Sequence, residues 1–334
     1  MDRYYAGVAS CIEGLEQGGN RSLVYELIDR VLENTGIVPS DTFLITASTK
    51  AGIDRIVDSV KKPPSDYSDS FPQHIADYIC DRFSLSGETL HISAACASST
   101  VAIARGAALI KSGRYDSVLI CCYDLVTEFV FSGFCSLQAM SPAACKPFDK
   151  NRKGMSIGEG AATLLLMNEK KARELGKKTM GIISGWAVTN DATHITRPDK
   201  DGCGLALAIE KSALMAGINT DSISAICAHG TGTLYNDSME LAAYKNVFGS
   251  RNIPVFSVKG AIGHTLGAAG GIEAAVSLKC LMHGVIPPTT GFTDPDPDAA
   301  GLVSSGPVKT DIRCILSTNS GFAGVNASVI MERG

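Results

Sequence analysis

Segments typical of β-strands alternate with segments typical of α-helices along nearly the whole chain, and this alternation restricts its possible folds more than any other feature. The apolar stretch at 40–49 predicts a buried strand, the amphipathic stretch at 71–87 a helix, and the stretch at 89–96 a second strand. Buried strands separated by helices are typical of folds in which helices cover both faces of a sheet. The pattern therefore predicts an α/β fold.

The same order of elements recurs approximately from about residue 178, although no stretch of sequence repeats exactly. A strand-like segment at 180–191 begins the second series of strands and helices. We therefore predict two similar halves, residues 1–178 and residues 179–334.

The composition is that of an ordinary globular protein, with 334 residues, 45% of them hydrophobic, and a net charge of −4. A chain of this length can bury one large core or two smaller ones. No basic tract is interleaved with aromatic residues, so we expect no nucleic-acid partner. No apolar run reaches membrane-spanning length and the first residues lack the features of a signal peptide, so we expect no membrane association.

Eleven cysteines are scattered through the chain, mostly in apolar segments such as the one that holds Cys121 and Cys122. In such segments cysteine behaves as a small hydrophobic residue. There is no CxxC pair, which leaves a zinc cluster poorly supported, and we expect neither a metal nor a cofactor. This use of cysteine predicts a reducing, cytoplasmic compartment.

Cys96 lies where a predicted strand ends and a predicted helix begins, inside the small-residue run SAACASST. A thiol at a helix N-terminus feels unpaired N–H groups and the helix dipole, which favour the thiolate. Small neighbours leave room for an acyl chain to reach the sulfur. A buried structural cysteine is the alternative, and for any one of eleven cysteines it is the better starting assumption.

His229 follows a predicted apolar strand directly, in the run AHGTGT. Residues just beyond the carboxyl ends of strands line the ligand crevice of α/β sheets. Glycines in such a turn let backbone approach a ligand, while Thr231 and Thr233 offer hydroxyl groups. A tight turn with a capping histidine is the alternative, but it does not explain the paired threonines.

Lys259 and His264 share one glycine-rich turn, KGAIGHTLGAAGG, that leads into a helix. A phosphate-binding loop is the alternative, but GxxxxGK[ST] is absent and the lysine precedes the glycines. Two of only six histidines thus lie in glycine- and threonine-containing turns after strands. That concentration favours a shared functional role.

Together these segments resemble the β-ketoacyl-acyl carrier protein synthases of the thiolase superfamily, from about residue 24 to the end of the chain. SAACASS resembles the nucleophile segment, AHGTGT with NDSME and KGAIGHTLGAAG the two histidine motifs, and NSGFAGVNAS the Gly-Phe-Gly loop. KPFDKNRKGMSIGEGAATLLL resembles the segment between nucleophile and first histidine, and DATHITRPDKDG the loop before the second-half helix. Six segments in this order make a chance match negligible.

The resemblance implies an enzyme in which Cys96 accepts an acyl group and His229 and His264 act as a pair. It implies that Lys259 sets the electrostatics and orientation of that pair, and that Glu240 braces the site through hydrogen bonds.

By the same resemblance, Phe322 supplies a backbone N–H that joins that of Cys96 at the oxyanion, and its ring gates the acyl pocket. The resemblance also implies that Thr231 and Thr233 hold the pantetheine arm of an acyl carrier protein. The implied partners are this carrier, loaded with acyl and malonyl groups, and a second synthase-like subunit in a homodimer or a heterodimer.

The implied fold is thiolase-like, with two similar halves packed as α-β-α-β-α layers and a shortened N-terminal region. The family usually has a strand, a helix and a long excursion before the helix that resembles LVYELIDRVLENTGI, whereas about twenty residues precede it here. Either YYAGVAS replaces part of that structure or the first strand is missing. NSGFAG is one residue shorter than the usual loop, so a preference for acyl chain length cannot be carried over.

A Cys-His-His set suits decarboxylative condensation, because cysteine both forms and releases thioesters and two imidazole N–H groups stabilise an enolate oxygen. A thiolase needs a second cysteine as base, and neither NSGFAG nor KGAIGHT contains one. A priming or chain-length subunit that does not condense, or a carrier-binding scaffold, remains as an alternative, although Cys96 argues against the former. The products stay open between fatty acids, polyketides and aryl polyenes.

Overall fold

The computed structural model describes residues 9–10, 12–15, 21–56 and 68–334. In the first part of the chain the elements are β1 (Ala9–Ser10), α1 (Leu23–Leu32), β2 (Phe43–Ala47), α2 (Pro72–Phe83), β3 (Thr89–Ile92), α3 (Ser98–Lys111), β4 (Ser117–Asp124), α4 (Glu128–Ser136), β5 (Ile157–Gly158), β6 (Gly160–Met167) and α5 (Glu169–Glu174). The second part contains β7 (Ile182–Asn190), α6 (Cys203–Ala216), β8 (Ala225–Cys227), α7 (Leu234–Phe248), β9 (Val255–Phe256), α8 (Lys259–Ile262), α9 (Ala269–His283), β10 (Val285–Ile286), β11 (Val308–Lys309), β12 (Cys314–Gly321) and β13 (Val325–Glu332).

Two sheets dominate the structure and have matching strand orders. The first runs β3-β2-β4-β6, with β3, β2 and β4 parallel and β6 antiparallel to β4. The second runs β9-β8-β12-β13-β7, with β9, β8 and β12 parallel and β13 antiparallel to β12. The second sheet thus repeats the order of the first and adds β7, whose counterpart is not found among the described residues. The two similar halves are confirmed, while the boundary between residues 178 and 179 stays a prediction.

The helices form three layers around the two sheets. Helices α3 and α9 contact both sheets and lie between them. Helices α1 and α2 cover the outer face of the first sheet, and α6 and α7 cover the second. The largest core cluster joins strand residues of both sheets to the two central helices, for example Ile120, Ala102, Ala274 and Ile315. The predicted α-β-α-β-α layering is confirmed.

Glycines bring the two central helices into close contact. A Cβ atom on Gly270 of α9 would lie 1.9 Å from Oγ1 of Thr100 and 2.9 Å from its backbone nitrogen, so no side chain fits there. The N–H of Gly271 donates to Oγ of Ser99 at 2.9 Å. This approach sets the start of α3 beside the start of α9, which is where the candidate site forms.

Helix α4 forms in a stretch for which the sequence patterns predict no element. The hydroxyl of Thr127 caps it by accepting from the N–H of Val130 at 3.2 Å. Val130, Phe131 and Phe134 bury one face. Aromatic and glycine residues have weak helix propensity, so packing rather than local preference stabilises this helix.

The start of the chain is only partly described. Of the segment YYAGVAS, residues 4–8 lie outside the described residues, and β1 pairs in parallel with β5, Ala9 opposite Ile157. No helix in the described part of the chain is long and apolar enough to cross a membrane. The ten cysteines described are all unpaired.

Candidate active site

A cavity of about 550 Å³ lies at the carboxyl ends of the parallel strands of both sheets. Cys96, His229 and His264 line it, and the Cys96 sulfur and one ring nitrogen of each histidine lie within 4.8 Å of one another. Phe134 and Phe322 form an apolar wall of the same cavity. Three residues that the sequence analysis singled out in separate motifs are thus neighbours.

Cys96 lies in a tight turn between β3 and α3. Ala95 has a φ of +48°, and Oγ of Ser98 accepts from the N–H of Ala94 at 2.8 Å and donates to the Ala95 carbonyl at 2.6 Å. Burial raises the pKa of the Cys96 thiol to about 11, although the ammonium groups of Lys259 and Lys50 lower it. Burial therefore outweighs the helix N-terminus that the sequence analysis expected to favour the thiolate.

Glu240 holds the backbone at the end of β8. Its two carboxylate oxygens accept from the N–H groups of His229 and Gly230, each at 2.7 Å, and Tyr244 donates to it at 2.9 Å. Burial, followed by the charge of Asp237, raises the pKa of Glu240 to about 7. Glu240 thus lies behind His229 and contacts its main chain rather than its ring.

The ring of His229 is oriented by two donors. Its Nδ1 lies 3.3 Å from Nζ of Lys259 and 3.0 Å from Nδ2 of Asn319. Both neighbours donate, so Nδ1 accepts and the ring proton lies on Nε2. Burial, followed by the charge of Lys259, holds the pKa of His229 well below its usual range. The ring is therefore a neutral donor.

Lys259 is fully buried, and its charge is balanced by Glu273. Its ammonium also donates to the carbonyl oxygen of His229, and Glu273 accepts from Nδ2 of Asn319 at 2.7 Å. Neither Glu273 nor Asn319 is among the site residues predicted from the sequence. Glu273 is the one acidic residue within the apolar, small-residue helix α9, and this isolation was the available signal.

His264 is fixed at its main chain and at one ring nitrogen. Its N–H donates to the Ser156 carbonyl at 2.7 Å, and its carbonyl accepts from Gly158 at 3.0 Å. Its Nδ1 accepts from the N–H of Leu266 at 3.3 Å, while its Nε2 is buried without a hydrogen-bond partner among the described residues.

The two histidine rings converge as donors. Their centroids are 5.0 Å apart and their planes nearly perpendicular, at 85°. Burial, with Lys259 and Lys50, holds the pKa of His264 well below its usual range, so this ring is also neutral. Two Nε2–H groups beside a thiol can stabilise negative charge on one oxygen.

Phe322 lies in the turn that joins β12 to β13, beside the nucleophile turn. A Cβ atom on Gly321 would lie 3.1 Å from the backbone nitrogen of Cys96, so the two turns are in contact. The rings of Phe322 and Phe134 are 5.9 Å apart, and Ala323 has a φ of +65°. The oxyanion and gating roles of Phe322 stay predictions.

Thr231 and Thr233 lie together on the wall of the cavity, with their hydroxyl oxygens 2.9 Å apart. Thr233 also caps α7 by accepting from the N–H of Asn236. At the mouth, Lys153 and Arg197 are exposed and have no carboxylate partner in the described parts of the chain. The mouth is therefore positively charged.

Two family models match the chain. The β-ketoacyl synthase N-terminal domain matches residues 21–172, and the β-ketoacyl synthase C-terminal domain matches residues 180–293. The first model ends at residue 172 and the second begins at residue 180, so the boundary between them lies between β6 of the first sheet and β7 of the second.

Curated relatives and solved structures that are similar to this chain are also described as ketosynthases or as 3-oxoacyl synthases. The tetracenomycin polyketide synthase ketoacyl synthase alpha subunit of Streptomyces glaucescens is 35% identical over 74% of this chain and 60% of its own length. The 3-oxoacyl-[acyl-carrier-protein] synthase 2 of Synechocystis is 36% identical over 72% of this chain and 60% of its own. The chain thus spans about three fifths of these relatives. The structure described as the ishigamide ketosynthase/chain length factor aligns with a TM-score of 0.87 and 28% identity, covering 94% of this chain and 83% of that chain.

Proposed function

The chain belongs to the β-ketoacyl synthase family, and from that premise we propose that it is a β-ketoacyl-acyl carrier protein synthase. The observation that carries the proposal is the convergence of two neutral Nε2–H donors beside the Cys96 thiol. This donor pair suits an enolate that forms by decarboxylation. The chain has no need of a strong base in that step, because the loss of carbon dioxide itself generates the carbanion.

In the first step, the sulfur of Cys96 attacks the carbonyl carbon of an acyl thioester. The carbon–sulfur bond to the carrier breaks, the carrier thiol leaves with a proton, and the acyl group stays on Cys96. The N–H groups of Cys96 and Phe322 stabilise the oxyanion of the tetrahedral intermediate.

In the second step, a malonyl thioester binds and its carboxylate leaves as carbon dioxide. The electron pair of the broken carbon–carbon bond forms an enolate, whose oxygen accepts from Nε2 of His229 and of His264. The enolate carbon then attacks the Cys96 thioester, and the β-ketoacyl product leaves on the carrier. The released thiolate takes up one proton, which restores the thiol.

The proposed partner is an acyl carrier protein whose pantetheine arm lies along Thr231 and Thr233. The exposed cations Lys153 and Arg197 at the mouth of the cavity suit the phosphate of that arm. A second synthase-like subunit, identical or different, completes the assembly, and the cytoplasmic location remains a prediction. The relatives named above are described as enzymes of more than one pathway. We therefore propose only that the product is a β-ketoacyl thioester, and we assign it to no pathway.

A non-condensing chain-length or priming subunit is the second candidate, because one similar structure is described as a ketosynthase together with a chain length factor. The presence of Cys96 disfavours it. A condensing subunit must carry the acyl group covalently, whereas a decarboxylating subunit need not.

Mass spectrometry of the intact protein after incubation with acyl-carrier protein tests the proposal. We expect one acyl group on the wild type and on Cys203→Ala, a control that removes an exposed thiol, and none on Cys96→Ala. Addition of malonyl-carrier should then release the group as β-ketoacyl-carrier with one carbon dioxide. Decarboxylation without acylation of Cys96 would favour the second candidate instead.

A further inference from the structure

Asp124 is a buried carboxylate residue at the end of β4, 2% exposed, to which the steps above assign no role. Its Oδ1 accepts from the hydroxyl of Ser48 at 2.9 Å. Its Oδ2 accepts from the N–H of Thr49 at 2.9 Å and from the N–H of Gly267 at 2.7 Å. The carboxylate therefore joins a loop of the first half to the turn that follows His264 in the second.

The turn held by Asp124 has an unusual backbone. Leu266 has a φ of +52°, a left-handed conformation that is costly for leucine and persists only where the surroundings enforce it. A Cβ atom on Gly267 would lie 2.7 Å from Oδ2 of Asp124 and 2.9 Å from the nitrogen of Thr49. The N–H of residue 267 reaches the carboxylate only because that residue is glycine.

The conformation of Leu266 decides where the proton of His264 lies. Because the Leu266 N–H donates to Nδ1 of His264, the neutral ring must carry its proton on Nε2. With the proton on Nδ1, two donors would face each other, and Nε2 would present a lone pair to the cavity. A lone pair cannot stabilise an enolate oxygen.

We propose that Asp124 is a positioning residue that holds the turn at 264–268 in the conformation that keeps the His264 proton on Nε2. The use of that proton in decarboxylation rests on the proposed function, whereas its location on the ring does not. Asp124 acts through Gly267 and Leu266, and it touches neither His264 nor the substrate.

Asp124→Asn tests this with little change of shape. The carboxylate of Asp124 has two acceptor oxygens, whereas the amide of asparagine has one. In the variant, one of the N–H or hydroxyl groups that now donate to Asp124 therefore faces an NH₂ group and loses its acceptor. Nitrogen-15 NMR of the histidine rings at pH 8, with His264 assigned from His264→Ala, reports the tautomer directly. We expect Nε2–H in the wild type and a mixture with Nδ1–H in the variant.

Kinetics of the two half-reactions provide the second measurement. Decarboxylation of malonyl-carrier should fall about tenfold or more in Asp124→Asn, since full loss of one donor to a developing oxyanion costs about 10²–10³ in rate. Acyl transfer to Cys96 should change by less than about threefold, because that step does not use the His264 proton. Equal losses in both half-reactions would overturn the proposal.

Asp149→Asn is the matched control, because Asp149 is also a buried carboxylate that accepts backbone N–H groups. It binds Thr293 and Asp294, each at 2.8 Å, and no hydrogen bond joins it to either histidine. We expect it to lower stability while the His264 tautomer and the ratio of the two half-reactions stay unchanged.

Two outcomes separate this inference from the proposed function. A wild-type His264 with its proton on Nδ1 overturns the inference even if Asp124→Asn does not fold. A wild type that shows Nε2–H, lost in Asp124→Asn, but that never decarboxylates malonyl-carrier, supports the inference and contradicts the proposed function.

Discussion

The buried charges around His229 and His264 keep both rings as neutral hydrogen-bond donors. Lys259 places a cation 3.3 Å from Nδ1 of His229, which opposes a second proton on that ring. In the proposed reaction, a protonated imidazole would be acidic enough to transfer its proton to the enolate, and the malonyl group would then give an acetyl thioester instead of a condensed product. A neutral N–H donor stabilises the enolate and keeps its carbon available for condensation.

Replacement of either histidine by alanine should therefore affect one half-reaction far more than the other. We expect His229→Ala and His264→Ala each to slow malonyl decarboxylation by about 10²–10³, the usual cost of one lost oxyanion donor. Acyl transfer to Cys96 should suffer much less. Radiolabelled carbon dioxide release and intact mass, measured separately, check the difference, and a parallel loss in both would indicate a collapsed site.

Lys50 should tune the nucleophile from outside the histidine pair. Its ammonium lowers the pKa of Cys96, so its removal raises that pKa, reduces the thiolate fraction at any pH below it and slows alkylation. We expect Lys50→Met to shift the pH profile of iodoacetamide labelling at Cys96 towards higher pH, and Lys50→Arg to restore it.

The exposed thiol of Cys203 provides the internal control for that measurement. Its labelling should be the same in all three proteins, because it belongs to α6 and lies away from the cavity lining. An unchanged profile at Cys96 in Lys50→Met would show that the Lys50 charge is screened before it reaches the sulfur.

Sequence patterns identify Cys96, His229, His264 and Lys259 as candidates. Each of them lies in a short run of small residues that follows the end of a predicted strand. The patterns do not identify Glu273 or Asn319, whose importance arises from contacts with residues far along the chain. Asn319 reaches His229 across 90 positions. Burial of the thiol is likewise invisible locally, and it reverses the expected direction of the Cys96 pKa.

At the scale of elements, the strands and long helices follow from apolar periodicity, whereas α4 does not. Its sequence EFVFSGFCS has glycine and aromatic residues at helical positions, so only the packing of Phe131 and Phe134 reveals it. The close contact of α3 with α9 is also a tertiary feature. The glycines of α9 hint at it, but their partner on α3 cannot be read from the sequence.

Gly270→Ala should separate the two central helices. The new methyl group would lie 1.9 Å from Oγ1 of Thr100, inside a packed core, so the helices must move apart. We expect a loss of about 1–3 kcal/mol in the free energy of unfolding, the usual cost of overpacking, as measured by urea denaturation.

Gly133→Ala is the matched control within a helix. Apart from the glycine's chain neighbours and the backbone of the helix itself, no atom of the described residues lies within 4 Å of the added Cβ, and the backbone at Gly133 is not left-handed. Alanine should therefore stabilise α4 by about 0.5–1 kcal/mol through helix propensity alone. Equal stability of the Gly270→Ala protein and the wild type would mean that the contact between α3 and α9 is loose.

At the scale of the molecule, the site exists only because the two halves pack against each other. The first half contributes Cys96 and Asp124, and the second contributes both histidines. The repeated order of strands places equivalent strand ends on facing sides of the central helix layer, so the motifs meet there. The approximate recurrence of elements along the sequence predicts the repeat. It does not predict that the two halves pack against each other with their strand ends together, which is expected only from the family resemblance.

One edge of the first sheet is open among the described residues, because β3 pairs with β2 alone. The carbonyl of Glu88 accepts from Leu44 of β2, and that of Ile92 accepts from Ser48, which directly follows β2. Alternate residues of β3 therefore face β2, and the N–H of Thr89 points outward. Open edges are usually paired or covered in native proteins. The family resemblance implies a dimer, and we propose that it forms through this open edge, because β3 leads directly to the turn that holds Cys96.

Thr89→Pro should weaken the proposed dimer, since proline removes the outward N–H and leaves the pairing with β2 intact. In a two-fold arrangement both protomers lose a hydrogen bond, each worth about 0.5–1.5 kcal/mol, so the dissociation constant should rise by about 5- to 150-fold. Thr89→Val is the control, because it keeps the N–H and the branched shape. Sedimentation equilibrium measures both, and condensation activity should fall on dilution sooner in Thr89→Pro. A fully active wild-type monomer at low micromolar concentration would rule out association through β3, and the nucleophile turn would then be stable without a partner.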